Sequence, residues 1–296
     1  MLFWRCPVRE TDRYRLDKRR VRAAFDRAAG TYDEAAPLQH EVCDRLLERL
    51  EWVKLEPARV LDAGAGTGRG TRGLRRRYPR AQRLGLDLSP AMLREARRRD
   101  GWWRRTRWVC GDLEDLPFAD GAMGLVFSNL ALQWCNDLDR TLADVRRVLA
   151  PGGLFMFTTF GPDTLRELRT AWQTADPDHV HVNAFVDMHD IGDALVRAGF
   201  ADPVMDMEMI VLTYPDLARL MADLRAIGAT NANRGRGRGL ATRARFEALA
   251  SAYEVFRRPD GALPATYEVV YGHAWAPEAP APGRPRGRVI PVHPVP

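Results

Sequence analysis

The chain has 296 residues, 46% of them hydrophobic, enough to bury one large core or a core with a smaller cap. Its 45 Lys and Arg against 39 Asp and Glu leave a formal charge of +6, compatible with an acidic partner or with a merely solvated basic face. The cysteines Cys6, Cys43, Cys110 and Cys135 are scattered with no C-x-x-C spacing, which argues against a disulfide framework or a zinc site, and no apolar run approaches the roughly 20 residues of a membrane span.

Residues 1–19 are basic, are interrupted by Glu10, Asp12 and Asp17, and lead into no apolar signal core. They read as an extension, not a targeting peptide, and the expected location is the cytoplasm. Helical spacing of Val21, Ala24, Phe25 and Ala28 predicts a helix over 16–28. A second helix is expected over 37–52, with Val42, Leu46, Leu47 and Leu50 on one stripe. Strands over 59–62, 83–87, 107–110, 124–128 and 154–159 then alternate with helices over 70–78, 90–99 and 138–149. Such alternation predicts an α/β, Rossmann-like, doubly wound and mostly parallel sheet over residues 20–160.

From Gly161 the alternation loosens. Helices are expected over 163–174, 187–198, 215–227 and 242–256, with strands over 204–212 and 266–275. This predicts a helical cap and substrate insertion over 161–258 containing one late core strand, then a final core strand over 259–276. The tail 277–296 is rich in Pro, Gly and Arg and reads as disordered.

The strongest motif is the run from Val60 to Gly68, a buried strand that opens into Gly64, Gly66 and Gly68 ahead of a helix. Glycines there let the backbone turn sharply and approach a ligand, and the helix offers free N–H groups. Arg69 stands where a dinucleotide fingerprint needs its third glycine, which disfavours NAD and favours S-adenosylmethionine. Asp87 ends the second strand roughly twenty residues on, placed to accept from both ribose hydroxyls. Asp112 closes the third strand, where a carboxylate meets an adenine amino group, and Asn129 follows the fourth. Open α/β sheets bind ligands outside the carboxyl ends of their strands, so these residues converge on one nucleoside.

These residues carry a resemblance. Residues 21–25, 28–32, Leu38, Gln39, 61–64, 86–90 and 111–117 look like the class I S-adenosylmethionine-dependent methyltransferases, a group that includes quinone-modifying enzymes. The later segments 128–134, 157–160, Glu167, Leu168, Trp172, Asn183, Phe185, 228–230, Leu240, Thr242 and 264–267 resemble the malonyl-acyl carrier protein O-methyltransferases of biotin synthesis. The match runs from about Arg20 to Trp275, and the Arg/Gly-rich segment 231–239, with Arg234, Arg236 and Arg238, departs from it. The resemblance implies methylation of the free carboxylate of a malonyl thioester on an acyl carrier protein. The expected cofactor contacts are Tyr32, Gln39, Asp62, Gly64, Ala65, Gly66, Asp87, Leu88, Met92, Asp112, Leu113, Asn129 and Leu130.

The chemistry is compatible. A carboxylate is already an anion at neutral pH, so no general base is required. Exclusion of water and orientation remain as the protein's tasks. Arg169 and Arg166 are three apart on the helix after the fifth strand and are the expected grip on the carboxylate, with Tyr32 and Trp134 walling the methyl site. His179, His181, His189, Asp187 and Asp190 match no standard metal spacing, so no metal is expected. The acid-free run of arginines from Arg69 to Arg83 lacks stacking aromatics. That argues against nucleic acid. The resemblance implies an acidic carrier protein as its partner, and a merely solvated face stays an open alternative. A related mitochondrial assembly factor that hydroxylates a protein arginine, a quinone methyltransferase and a non-catalytic cofactor-binding module stay open alternatives.

Overall fold

Seven strands form one sheet in the order β3-β2-β1-β4-β5-β7-β6. They are β1 (Arg59–Ala63), β2 (Gln82–Asp87), β3 (Arg107–Cys110), β4 (Met123–Ser128), β5 (Leu149–Phe160), β6 (Ala201–Tyr214) and β7 (Leu263–Trp275). The computed structural model describes residues 12–100, 106–237 and 242–278. Residues 1–11, Arg238, Leu240 and the tail beyond 278 lie outside the described residues, and so do the expectations placed on them.

The first five strands pair in parallel, as their alternation with helices predicts. β1 has β2 on one side and β4 on the other, so the chain reverses its winding at β1. Such a switch point opens a crevice at the strand's carboxyl end. β7 inserts antiparallel between β5 and β6 and closes that side of the sheet with a reversed strand. β5 starts earlier than expected: Leu149 already pairs with Met123, and residues 150–153 bulge out before Leu154 pairs with Leu125.

The helices are α1 (Lys18–Ala28), α2 (Tyr32–Ala35), α3 (Pro37–Arg49), α4 (Arg69–Arg77), α5 (Pro90–Asp100), α6 (Leu138–Val148), α7 (Arg166–Ala175), α8 (Met188–Arg197), α9 (Leu217–Ala226) and α10 (Arg243–Tyr253). Acidic or hydroxyl caps start many of them. Asp17, Asp137, Asp187, Asp216 and Thr242 each accept a first-turn backbone N–H, the contact that a helix cannot make for itself.

Two apolar layers cover the sheet. On one face Val42 and Leu46 of α3 join Leu74 of α4, Leu168 of α7, Leu220 of α9 and Tyr253 of α10. On the other, Leu142 and Val145 of α6 meet Ile191 and Leu195 of α8. Each fully buried leucine in these layers contributes about 1.5 to 3 kcal/mol of transfer free energy.

The stretch 161–258 divides around β6 instead of forming one insertion. α8 packs on the sheet face opposite the cap, while α7, α9 and α10 share a core with α3. The segment expected to be an extension is part of the fold from residue 12 onward. Arg13 O accepts from Gly235 N at 2.8 Å, Arg15 O from Arg234 N at 2.9 Å, and Asp17 N donates to Ala232 O at 2.9 Å. These bonds strap the start of α1 to the loop after α9.

Candidate active site

β1 delivers the chain to the switch point and the glycines then bend it. Gly64, Gly66 and Gly68 have φ of 82°, 53° and 84°, the left-handed region that a side chain resists. A Cβ on Gly64 would lie 2.3 Å from the Cβ of Ala131, so this turn also has no room for one. The amides of Gly64 and Ala65 each donate to Leu86 O at 2.8 Å, which fastens the loop to the end of β2.

Asp87 sits at that end. Its Oδ2 accepts from Gly66 N and its Oδ1 from Ser89 N, both at 2.8 Å, leaving one lone pair on each oxygen beside the cavity. Burial pushes its carboxyl up to about 6 against these two bonds. Asp62 behaves similarly: burial raises it to about 6, while Thr71 donates to its Oδ2 at 2.6 Å. Asp62 lies behind the loop, where a Cβ on Gly70 would meet its carboxylate at 2.9 Å. It supports the loop and does not line the cavity, and Ala65 is also absent from the wall. Asp62 and Ala65 thus stand in the loop's framework, one step behind the wall.

The cavity measures about 370 Å³. Tyr32 and Gln39 enter it from the N-terminal helices, Gly64 and Gly66 from the loop, and Asp87, Leu88 and Met92 from β2 and α5. Asp112, Leu113, Asn129, Leu130 and Trp134 reach it from the ends of β3 and β4. Burial pushes the Tyr32 phenol well up, so it stays neutral. Trp134 stands edge-on to Phe25 of α1 with centroids 5.1 Å apart, which closes one end. Asn129 Oδ1 accepts from Thr158 Oγ1 at 2.9 Å and its Nδ2 donates to Gln39 O at 3.2 Å.

Lys18 is a member of this wall that sequence reasoning missed. It donates to Asp112 Oδ1 at 2.9 Å and pairs with Glu114 at 2.5 Å, bringing the first turn of α1 over the site. Burial would lower the Lys18 amine, but the neighbouring anions, including these two carboxylates, hold it above its ordinary value. Its position next to the helix cap Asp17 gave no signal of that reach.

Away from the glycine loop the wall turns apolar, with Phe160, Leu165, Leu168, Trp172, Phe185 and Tyr267. His181 stacks on Trp172 at 3.6 Å between centroids, and its Nε2 meets Asp176 Oδ2 at 2.6 Å. Asp176 also contacts His179 at 2.9 Å and Arg245 at 3.4 Å. His189 is bound to Asp187, the cap of α8. Among the described residues no cluster of His, Cys, Asp and Glu could hold a metal.

Arg166 and Arg169 do not line the cavity. Arg169 turns back and donates from Nη1 to Pro162 O at 2.7 Å and from Nη2 to Thr164 O at 2.9 Å. The left-handed Leu165, at φ 54°, leaves those carbonyls open ahead of α7, and the guanidinium satisfies them. Arg166 is exposed and faces Asp163 at 3.5 Å. The arginine that does line the cavity is Arg225, at the end of α9, exposed and with no ion pair among the described residues.

The arginine run of α4 is mostly engaged within the protein. Arg69 pairs with Asp44, Arg75 with Asp100 at 3.4 Å, and Arg72 and Arg77 donate to Thr67 O and Val53 O.

Comparison with known proteins converges on one chemistry. Residues 61–157 match the family described as methyltransferase domain. The malonyl-(acyl-carrier protein) O-methyltransferase of Laribacter hongkongensis is 56% identical over 287 residues, covering 94% of this chain and 95% of its own. The protein of the same name from Gallionella capsiferriformans is 53% identical, covering 93% of this chain and 96% of its own. In fold, the chain is similar to the YcgJ protein of Bacillus subtilis, with TM-score 0.57 and 18% identity over 81% of this chain and 100% of that one. It is also similar to a phosphoethanolamine N-methyltransferase of Haemonchus contortus complexed with S-adenosylhomocysteine, with TM-score 0.56 and 19% identity over 87% of this chain and 60% of that one.

Proposed function

Because the chain belongs to the malonyl-(acyl-carrier protein) O-methyltransferase family, we propose that its cavity positions the free carboxylate of a malonyl thioester for methylation. The cofactor is S-adenosylmethionine, and the residues fit it. Asp87, buried, with its carboxyl raised and one lone pair free on each oxygen, suits a pair of ribose hydroxyls. Asp112 suits an amino group, and the Gly64–Gly66 turn, which no Cβ could enter at Gly64, gives a ligand access to backbone. When bound, this group supplies an electrophilic methyl on a sulfonium.

The chain's own residues do the rest. The cap and α1 exclude water, which removes the solvation that would hold a carboxylate back. Tyr32 and Trp134 wall the methyl site, and no base is needed for an acceptor that is already ionised. Arg225, a cation on the lining with no ion pair among the described residues, draws an anionic acceptor in. We assign the grip to this part of the cavity and not to Arg166 or Arg169.

The observation that carries the reading is an apolar chamber continuous with the wall that holds Asp87 and the glycine loop. The net charge of +6 favours an acidic carrier, whose docking we place at the rim that Arg225 shares. Neither the arginine hydroxylase nor the quinone methyltransferase finds support in the relatives described above. No helix of the described residues is long and apolar enough to cross a membrane. The test is mass spectrometry of malonyl-carrier after incubation with enzyme and S-adenosylmethionine. One added methyl, lost on mild alkaline hydrolysis, is expected. An unchanged malonyl-carrier would refute the reading.

A further inference from the structure

Three asparagines at the acceptor end of the cavity are used by nothing described so far. Asn183 and Asn231 line it, and Asn233 lies behind them at 0% exposure. Their hydrogen bonds have one direction. Asn231 Nδ2 donates to Val180 O at 2.6 Å, so Asn231 turns its Oδ1 toward Asn233. That oxygen accepts from Asn233 N at 3.0 Å and from Asn233 Nδ2 at 3.1 Å. Asn233 Nδ2 also donates to Asn183 Oδ1 at 2.9 Å. With its oxygen engaged, Asn183 is left with its NH₂ as the free end. Turning the Asn183 amide over would set two NH₂ groups against each other, so the orientation is fixed by the chain of bonds.

We propose that Asn183 donates its Nδ2–H to the carboxylate of the acceptor, and that Asn233 and Asn231 are positioning residues that hold it in that orientation. The inference rests on the carboxyl-methylation reading and names the group that recognises the carboxylate. Two observations separate it from ordinary packing. The Asn183 NH₂ has no partner among the described residues, although it belongs to a residue of the cavity wall. Asn233 Oδ1 is buried with no hydrogen-bond partner among the described residues, whereas a network built only for stability satisfies its buried oxygens. The trio gives up that bond to spend both Asn233 protons on the oxygens of its neighbours.

A neutral amide suits this place. The surrounding wall of Phe160, Leu168, Trp172 and Phe185 is apolar, and an unpaired guanidinium there would be costly whenever the acceptor is absent. A donor to an ionised oxygen is nevertheless among the stronger hydrogen bonds. The trio is also tied to the cofactor side. Ala232 and Arg234 bond the strap that places Lys18 over Asp112, so one loop sets both ends of the cavity.

The test compares Asn183→Asp, Asn183→Ala and wild type with malonyl-carrier as acceptor, measuring KM and kcat from pH 5.5 to 8.5 and S-adenosylhomocysteine affinity in parallel. Asn183→Asp keeps the bond from Asn233 but faces the acceptor with a second carboxylate. We expect KM to rise about 10- to 100-fold near pH 8, the loss of a hydrogen bond to a charged group. The Asp variant should recover as pH falls, when a protonated carboxyl can donate again. Asn183→Ala should lose the same affinity without recovering, and both should keep wild-type cofactor affinity. Wild-type turnover with unchanged KM in Asn183→Ala would overturn this inference alone, and so would an Asn183→Asp profile parallel to wild type. Absence of wild-type turnover would instead sink the carboxyl-methylation reading beneath it.

Discussion

Asp87 joins the glycine loop, the start of α5 and the cavity in one carboxylate. Its raised position near 6, caused by burial, means that folding favours its protonated form. Its contribution to the stability of the empty protein therefore falls as pH rises from the ordinary carboxyl range through about 6. Ribose hydroxyls donate to the ionised form, so cofactor binding has the opposite sign. The thermal stabilisation given by S-adenosylhomocysteine should be largest above pH 6 and shrink as pH falls through that value, and Asp87→Ala should abolish the dependence. The same variant should weaken binding by about 1.5 to 3 kcal/mol in calorimetry. An unchanged dissociation constant in a folded variant would remove Asp87 from the site. At this scale the sequence was legible where backbone chemistry dictates the residue, as at Gly64 and Asp87. It was misleading at Arg169, because helical spacing gives a face but not the direction in which a long side chain turns. Arg169→Ala should lower the melting temperature by exposing the carbonyls of Pro162 and Thr164, with little change in acceptor KM. Arg225→Ala should do the reverse, raising KM several-fold, as expected from roughly 1 kcal/mol at an exposed charge.

At the scale of elements, α1 shows what a linear reading cannot supply. The spacing of Val21, Ala24 and Ala28 announces the helix, but not that it crosses the cavity or that Lys18 reaches Asp112 and Glu114. Those contacts span nearly a hundred residues of chain. The caps are the opposite case: Asp187 starts α8 through a bond to His189 N, a contact decided within a few residues. Lys18→Ala would leave Asp112 and Glu114 facing each other without a counterion. We expect weaker S-adenosylhomocysteine binding and faster amide exchange over residues 18–28, with the sheet's protection unchanged. If exchange there matches wild type, α1 is held by its apolar face alone.

Across the whole molecule, the parallel half of the sheet could be anticipated because a strand followed by a single helix has one favoured crossover hand, which fixes how successive strands pack. The place of β7 could not. Its insertion between β5 and β6 depends on pairing with β5 across more than a hundred residues of chain, and β6 carries a mixed, half-exposed pattern that names no neighbour. The cap likewise appears as one stretch in sequence but packs as pieces on the two faces of the sheet. In the proposed function an anionic acceptor meets a methyl donor in this cavity, and that chemistry predicts indifference to chelators. Turnover in EDTA should equal turnover without it. The most direct measurement follows methyl-labelled S-adenosylmethionine with two carriers, one bearing malonyl and the other acetyl, which lacks the free carboxylate. The account predicts alkali-labile label on malonyl-carrier and none on acetyl-carrier. Equal labelling of both, or label left entirely on the cofactor, would contradict it.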